Sequence, residues 1–131
     1  MNTTTFDFDD DNGTVPAHRH RHGGGWVADT AKVADTVYVG PNAKVFGYAK
    51  VYDDAQVFGY AQVFNKAQVF GYAQVYDDAK VFGYAQVFNK AQVFGYAKVF
   101  GYAQVFDKAQ VFGYDNDRVY DNAKINSTAL V

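Results

Sequence analysis

Three histidines alternate with two arginines in the run His18-Arg19-His20-Arg21-His22. In an extended segment alternate side chains lie on one side, and neutral imidazole is the commonest metal ligand, so His18, His20 and His22 are candidate metal ligands. No carboxylate at a fixed spacing completes a tetrahedral set. We therefore favour a second interpretation, in which this basic run hydrogen-bonds over the acidic stretch at residues 7–11 or over the first repeats. We predict no metal and no other cofactor.

Aromatic rings are the other residues whose type and spacing indicate a function. Phe or Tyr recurs at six-residue intervals, and an outward surface of such rings can pack against another protein or stack on a sugar. The predicted interface or binding residues are the repeat phenylalanines Phe46, Phe58, Phe64, Phe70, Phe82, Phe88, Phe94, Phe100, Phe106 and Phe112. They are flanked by Tyr48, Tyr60, Tyr72, Tyr84, Tyr96, Tyr102 and Tyr114.

A six-residue repeat positions these rings. Residues 31–114 form 14 consecutive blocks of six (14 × 6 = 84) without insertion or deletion, and each block has the order small, polar, Val, aromatic, turn residue, variable, with few exceptions. Alternation of period two predicts short β-strands with Ala and Val on one side and the polar and aromatic residues on the other. Because the Ala/Val side carries no charge between Ala43 and Val111, we predict that it forms a narrow core and that the rings lie outside.

The fifth position of each block is Gly, Asn or Asp throughout the stretch from Gly47 to Gly113. These residues tolerate the left-handed backbone conformation best. Each block is therefore predicted to end in a corner.

The pattern Val-x-Gly-x-Ala-x resembles the hexapeptide repeat of left-handed β-helix proteins over roughly residues 25–131. The resemblance implies an all-β, left-handed parallel β-helix solenoid with three hexapeptides per coil, so that residue i stacks on residue i+18, and about six coils. An alternation of FGY blocks with YDD or FNK blocks suggests a coil of two hexads instead. That alternation fails where AQVFGY at 91 is followed by AKVFGY at 97.

A coil of three hexads predicts ladders along the axis. Each of the three faces would carry a column of rings, and the amides of Gln56, Gln74, Gln92 and Gln110 would hydrogen-bond to one another. Because bare solenoid ends expose strand edges, capping segments are expected. We assign residues 1–24 to an N-terminal cap with a strand at Thr5 to Asp9 and a glycine hinge, 25–114 to the regular solenoid, and 115–131 to an irregular C-terminal coil and cap. The hexads slip by two residues at Asp115-Asn116.

The resemblance also carries an enzymatic expectation, because many left-handed β-helix proteins are acyltransferases and others are zinc carbonic anhydrases that use histidines on or beside the coils. This chain has no His beyond residue 22 and no excursion loop in residues 31–114. We therefore predict no enzymatic activity. An acyltransferase-like enzyme without a recognisable catalytic His is the least favoured hypothesis.

Composition narrows the classes of partner. The net charge of −2 and the pI near 5.8 favour neither nucleic acid nor an anionic membrane. The N-terminus has no basic segment followed by an apolar one, so we expect a soluble protein without a Sec-type signal, in a location the sequence does not specify. We predict a non-catalytic structural solenoid that self-assembles by lateral packing into a dimer or trimer. The alternative is a glycan- or surface-binding, fibre-like module whose rings bind polysaccharide.

Overall fold

The computed structural model describes residues 4–113, 118–126 and 129–130. The slip predicted at Asp115-Asn116 and the ring of Tyr114 lie outside these residues. The strands are β1 (Thr5–Asp7), β2 (Thr14–Arg19), β3 (Trp26–Ala28), β4 (Lys32–Val33), β5 (Tyr38–Val39), β6 (Lys44–Val45), β7 (Lys50–Val51), β8 (Gln56–Val57), β9 (Gln62–Val63), β10 (Gln68–Val69), β11 (Gln74–Val75), β12 (Lys80–Val81), β13 (Gln86–Val87), β14 (Gln92–Val93), β15 (Lys98–Val99), β16 (Gln104–Val105), β17 (Gln110–Phe112), β18 (Arg118–Val119), β19 (Lys124–Ile125) and β20 (Ala129–Leu130).

From β3 onward, every third strand belongs to the same parallel sheet, and the three sheets form three faces. Face 1 contains β3, β6, β9, β12, β15 and β18, face 2 contains β4, β7, β10, β13, β16 and β19, and face 3 contains β5, β8, β11, β14, β17 and β20. Gln68 pairs with Gln86, the equivalent residue three hexads further along the chain. The prediction of an all-β parallel solenoid with three hexads per coil is therefore confirmed, and the coil of two hexads is excluded. The hand of the coil stays a prediction.

The solenoid makes about five turns. Each face has six strands in this solenoid, and five steps separate them. The sequence estimate of about six coils counted strand layers, so it exceeds the number of turns by one.

The core is the narrow Ala/Val column that the hexads predict. From Ala43 to Val111, every first-position Ala and every third-position Val is completely buried. Small residues suffice because the three short strands of a coil lie close together, and two side chains per hexad fill the space between them. The polar and aromatic positions therefore face outward, as predicted.

The corners confirm the prediction made from the fifth hexad position. Every fifth-position residue from Gly47 to Asp107 has a positive φ, between 56° and 68°. At Gly71 an added Cβ would also lie 2.9 Å from the backbone nitrogen of Asn89 in the next coil. The Asp53 carboxylate accepts a hydrogen bond of 3.1 Å from the Gly71 amide, so a polar side chain at this position also joins adjacent coils.

The N-terminal segment folds as an antiparallel hairpin on the first coil. β1 pairs with β2, and β2 pairs with β3 at the edge of face 1. The first strand ends at Asp7, earlier than the predicted end at Asp9, because the Asp7 side chain accepts the Asp9 amide at 2.8 Å and Asp9 takes a φ of 59°. The segment then returns along β5, where the Val39 amide donates to the His22 carbonyl at 3.0 Å.

At the C-terminal end, the strand register shifts by two residues on two of the three faces. Lys98 pairs with Arg118 and Gln104 pairs with Lys124, so each of these steps is two residues longer than three hexads. The last strand returns to the regular step of three hexads, since Val111 pairs with Ala129.

No helix in the described part of the chain is long and apolar enough to cross a lipid bilayer.

Candidate functional site

The outward rings form one stacked ladder on each face. Neighbouring rings within the regular coils are nearly parallel, and their centroids are 4.7–5.3 Å apart, close to the spacing of adjacent strands. The ladders are Phe46, Phe64, Phe82, Phe100 and Tyr120 on face 1; Tyr52, Phe70, Phe88 and Phe106 on face 2; and Phe58, Tyr76, Phe94 and Phe112 on face 3. The structure thus brings all ten predicted phenylalanines into these three columns.

Two of the ladder tyrosines, Tyr52 and Tyr76, remain uncharged at neutral pH. Burial raises the pKa of the Tyr52 phenol, and the nearby Asp53 raises it further. Burial and Asp77 do the same to the pKa of Tyr76. Both groups therefore stay protonated, and these two rings are neutral.

The N-terminal ends of the ladders on faces 1 and 2 differ. On face 1, Ala28 stands at the ring position of the first coil, and Phe8 from the hairpin supplies the missing ring by stacking on Phe46 at 4.8 Å. Phe46 is consequently buried, with 4% of its surface exposed. On face 2, Ala34 occupies the ring position above Tyr52. Of the predicted phenylalanines, Phe46 is therefore covered by the chain itself, whereas the others remain partly exposed.

The polar rows beside the ladders also differ between faces. The described polar row of face 1 contains Lys44, Gln62, Lys80, Lys98 and Arg118, and that of face 2 contains Lys32, Lys50, Gln68, Gln86, Gln104 and Lys124. On face 3, the corresponding residues are Tyr38 and then Gln56, Gln74, Gln92 and Gln110. The three amide contacts in that row measure 3.1, 3.1 and 3.2 Å, which confirms the predicted glutamine ladder. Face 3 is therefore the face with an uncharged polar row.

The sixth hexad position projects furthest into solvent. Its described tyrosines are 50–65% exposed, so they are more accessible than the phenylalanines of the ladders. These residues form corner rows along the axis, and backbone hydrogen bonds join successive coils beside them. The row between faces 1 and 2 is Tyr48, Lys66, Tyr84, Tyr102 and Asn122; between faces 2 and 3 it is Asp54, Tyr72, Lys90 and Lys108; between faces 3 and 1 it is Asn42, Tyr60, Asp78 and Tyr96.

The three histidines hold the hairpin to the first coil and lie against different partners. His20 is 5% exposed, and its Nε2 lies 2.7 Å from the Val37 carbonyl oxygen. His18 Nδ1 lies 2.6 Å from the Asp29 carboxylate, and the His22 ring meets the edge of Tyr38. No group of three or more metal-ligating side chains occurs among the residues that the structure describes.

Two features of this surface escaped the sequence prediction. The first is Phe8, which lies outside the hexads and yet continues the face 1 ladder. The second is a stack in which Phe6 lies 4.6 Å from the Trp26 ring, with Arg19 on Trp26 and Lys44 over Phe6. The alternation in Phe6-Asp7-Phe8 was the available signal, since it places both rings on one side of a strand.

No family model, curated protein or solved structure matches the chain. The resemblance to hexapeptide-repeat proteins therefore depends on the hexad pattern, while the structure shows the coarser class, a parallel β-solenoid.

Proposed function

We propose that the protein is a soluble, non-catalytic structural module that self-associates side by side through its outward aromatic faces, as a dimer or trimer. The observation that carries this proposal is the continuity of the ring ladders along all three faces, with exposed tyrosines at the corners. Soluble monomers seldom expose contiguous apolar patches beyond a few hundred Å². Burying these rings against another copy removes that surface from water.

The scaffold suits such a role because it is rigid along its axis. Ring stacking and backbone bonds join successive regular coils, and glutamine amides add contacts on faces 2 and 3. A surface that is already ordered loses little side-chain entropy when a second copy binds. Lateral packing therefore buries apolar ring surface with little loss of side-chain entropy.

The histidines support a structural role for the N-terminal segment. His20 is buried against a backbone carbonyl, and His18 contacts Asp29, so both are used to join the hairpin to the coil. The coils themselves contain no histidine. Our proposal accordingly assigns no catalytic chemistry to this solenoid.

The proposal includes a left-handed coil of the hexapeptide-repeat kind. The pairing of every third hexad, the buried Val column and the positive-φ corners support it. An experimentally phased crystal structure tests the hand, and a right-handed coil would contradict this part of the proposal.

Static light scattering over a wide concentration range tests self-association. We expect the average mass to rise above the 14.5 kDa of one chain as concentration increases. A mass that stays at 14.5 kDa at every concentration would contradict the proposal.

A glycan-binding module is the second candidate, and one groove favours it. Tyr48 and Tyr84 flank Lys66 on a corner, and Lys50 and Gln68 line the same groove. Aromatic faces beside amide and ammonium donors suit a sugar chain. A monomeric protein that binds a soluble polysaccharide, with affinity lost in Tyr84→Ala but kept in the matched corner variant Tyr96→Ala, would favour this function over assembly.

A further inference from the structure

The three faces are not equivalent as surfaces for a second copy. When two copies pack face to face with antiparallel axes, each polar row meets the same row of the other copy. On face 1, with all six strand layers overlapping, this places Lys44 against Lys98, and like charges facing each other are destabilising. Face 2 has lysines near both ends of its row, at Lys32 and Lys124. Face 3 has neutral amides from Gln56 to Gln110, so it carries no such penalty.

The corner row between faces 2 and 3 is self-complementary in charge. Along the axis it reads Asp54, Tyr72, Lys90, Lys108. A two-fold axis perpendicular to the solenoid, placed midway between Tyr72 and Lys90, reverses this order in the partner. Asp54 then meets Lys108 of the second copy, and Tyr72 meets Lys90. Each pair occurs twice, since a two-fold interface is isologous.

The same operation also matches the interior of face 3. Tyr76 of one copy meets Phe94 of the other, and Gln74 meets Gln92, so rings face rings and amides face amides. At the opposite corner, Asp78 meets Tyr96, which avoids a like-charge contact. The hairpin extends the sheet of face 1, so it leaves these central layers of face 3 accessible.

A parallel arrangement of the two copies lacks this complementarity. A two-fold axis parallel to the solenoid axis places the corner row between faces 2 and 3 of one copy against the corner row between faces 3 and 1 of the other. The facing residues are then at the same height. Asp54 then meets Tyr60 and Lys90 meets Tyr96, so no ion pair forms. The charge pattern therefore favours the antiparallel arrangement.

The size of face 3 is sufficient for a specific but modest dimer. Six strand layers at about 4.8 Å, and a hexad width of roughly 16 Å, give a projected area of roughly 450 Å² per copy. Two copies bury roughly 900 Å² by this measure, close to the ~1,000 Å² at which specific interfaces begin, so we expect a weak, transient dimer.

From these observations we infer that two copies of the chain associate through face 3 in antiparallel orientation, with Asp54 of each copy paired to Lys108 of the other. The inference rests on the proposed self-assembly and assigns to it one face and one register. The partner is a second copy of this chain.

Reversing the charges of Asp54 and Lys108 tests the register. Lys and Asp both occur naturally at the sixth hexad position, so Asp54→Lys and Lys108→Asp place no new residue type there. Each single variant converts two attractive contacts into two repulsive ones, and we expect the dimer dissociation constant to rise roughly tenfold at low salt. The double variant Asp54→Lys/Lys108→Asp restores opposite charges and should return within roughly threefold of wild type. Lys66→Asp, on the corner remote from face 3, is the control and should leave the constant unchanged.

Sedimentation velocity gives the dissociation constants, and circular dichroism verifies that each variant folds. Loss of dimer in both single variants with recovery in the double variant supports the face and the register. A dissociation constant that is unchanged in both single variants, or that is not restored in the double variant, overturns the register but leaves the proposed self-assembly intact. A wild-type protein that is monomeric at all concentrations overturns both.

Discussion

Replacing Phe8 by Ala should detach the N-terminal hairpin while leaving the solenoid folded. Phe8 is 3% exposed, stacks on Phe46 at 4.8 Å and meets the edge of Phe6 at 4.8 Å. Buried Phe→Ala substitutions cost about 3–5 kcal/mol, and a site at the end of a solenoid can partly collapse around the gap. We therefore expect a loss of about 3 kcal/mol in the local stability of the hairpin.

The single tryptophan allows the hairpin to be followed separately. Trp26 packs against Phe6 and Arg19 of the hairpin, so its fluorescence reports hairpin docking, whereas far-UV circular dichroism reports the solenoid. Because each coil contacts only its neighbours, the loss should remain local. In urea, Phe8→Ala should lower the midpoint of the Trp26 transition and leave the dichroism transition nearly unchanged.

A matched ring within a ladder provides the control. Phe88→Ala removes a ring that stacks on Phe70 at 4.9 Å, in the middle of face 2. It should lower the stability of the solenoid and leave the docking of the hairpin intact. Equal Trp26 midpoints for wild type and Phe8→Ala would refute the assignment of Phe8 as the ring that closes the face 1 ladder.

Substitutions at three further positions test the corners, the core and the hairpin contacts. Gly71→Ala should cost about 1–2 kcal/mol, because Gly71 has a φ of 68° and a Cβ would crowd Asn89, whereas Gly71→Asn should cost less; urea denaturation measures both. Val75→Ala should cost about 2 kcal/mol in the same assay, because Val75 is fully buried and its removal leaves a cavity. Burial lowers the folded-state pKa of His20, so the unfolded state binds more protons as pH falls below about 6.5. The midpoint of the Trp26 transition should therefore fall over that range, and His20→Asn should remove this contribution; an unchanged pH profile would contradict it.

The hexads were sufficient to predict most of the solenoid because each one repeats the same local requirements. Val75 and its equivalents are inward since only the opposite side of the strands carries Lys and Gln, and Gly71 and Asn89 mark corners since few other residues accept a positive φ. The ring ladders and the Gln74–Gln92 contact follow once the step of three hexads is known. That step came from a family resemblance, and the strand register confirms it.

The hairpin was only partly predictable, for a physical reason. Residues 4–24 lie outside the repeat, so their structure depends on tertiary contacts that no local pattern specifies. The burial of His20 under the Val37 carbonyl depends on the hairpin pairing antiparallel with β3, and the role of Phe8 depends on the gap that Ala28 leaves. Sequence spacing suggested three equivalent histidines, but the first coil gives each one a different environment.

The proposed association surface was predicted from the sequence as a class of residue but not as a particular face. All three faces carry rings, so the sequence favoured none of them. The distinction comes from the rows beside the rings, where Lys80 and Lys98 stack on face 1 and Gln74 and Gln92 stack on face 3. The composition of each row is known only once the strand register places each side chain on its face.

Sedimentation equilibrium of two matched double variants tests the central claim most directly. Tyr76→Gln/Phe94→Gln removes the central rings of face 3, and Phe64→Gln/Phe82→Gln removes a pair on face 1 that is also stacked at 4.9 Å. Wild type and the face 1 variant should approach twice the mass of one chain at high concentration, while the face 3 variant stays near the 14.5 kDa of a monomer. A face 3 variant that associates as strongly as wild type, or a wild type that never exceeds the monomer mass, would contradict the account.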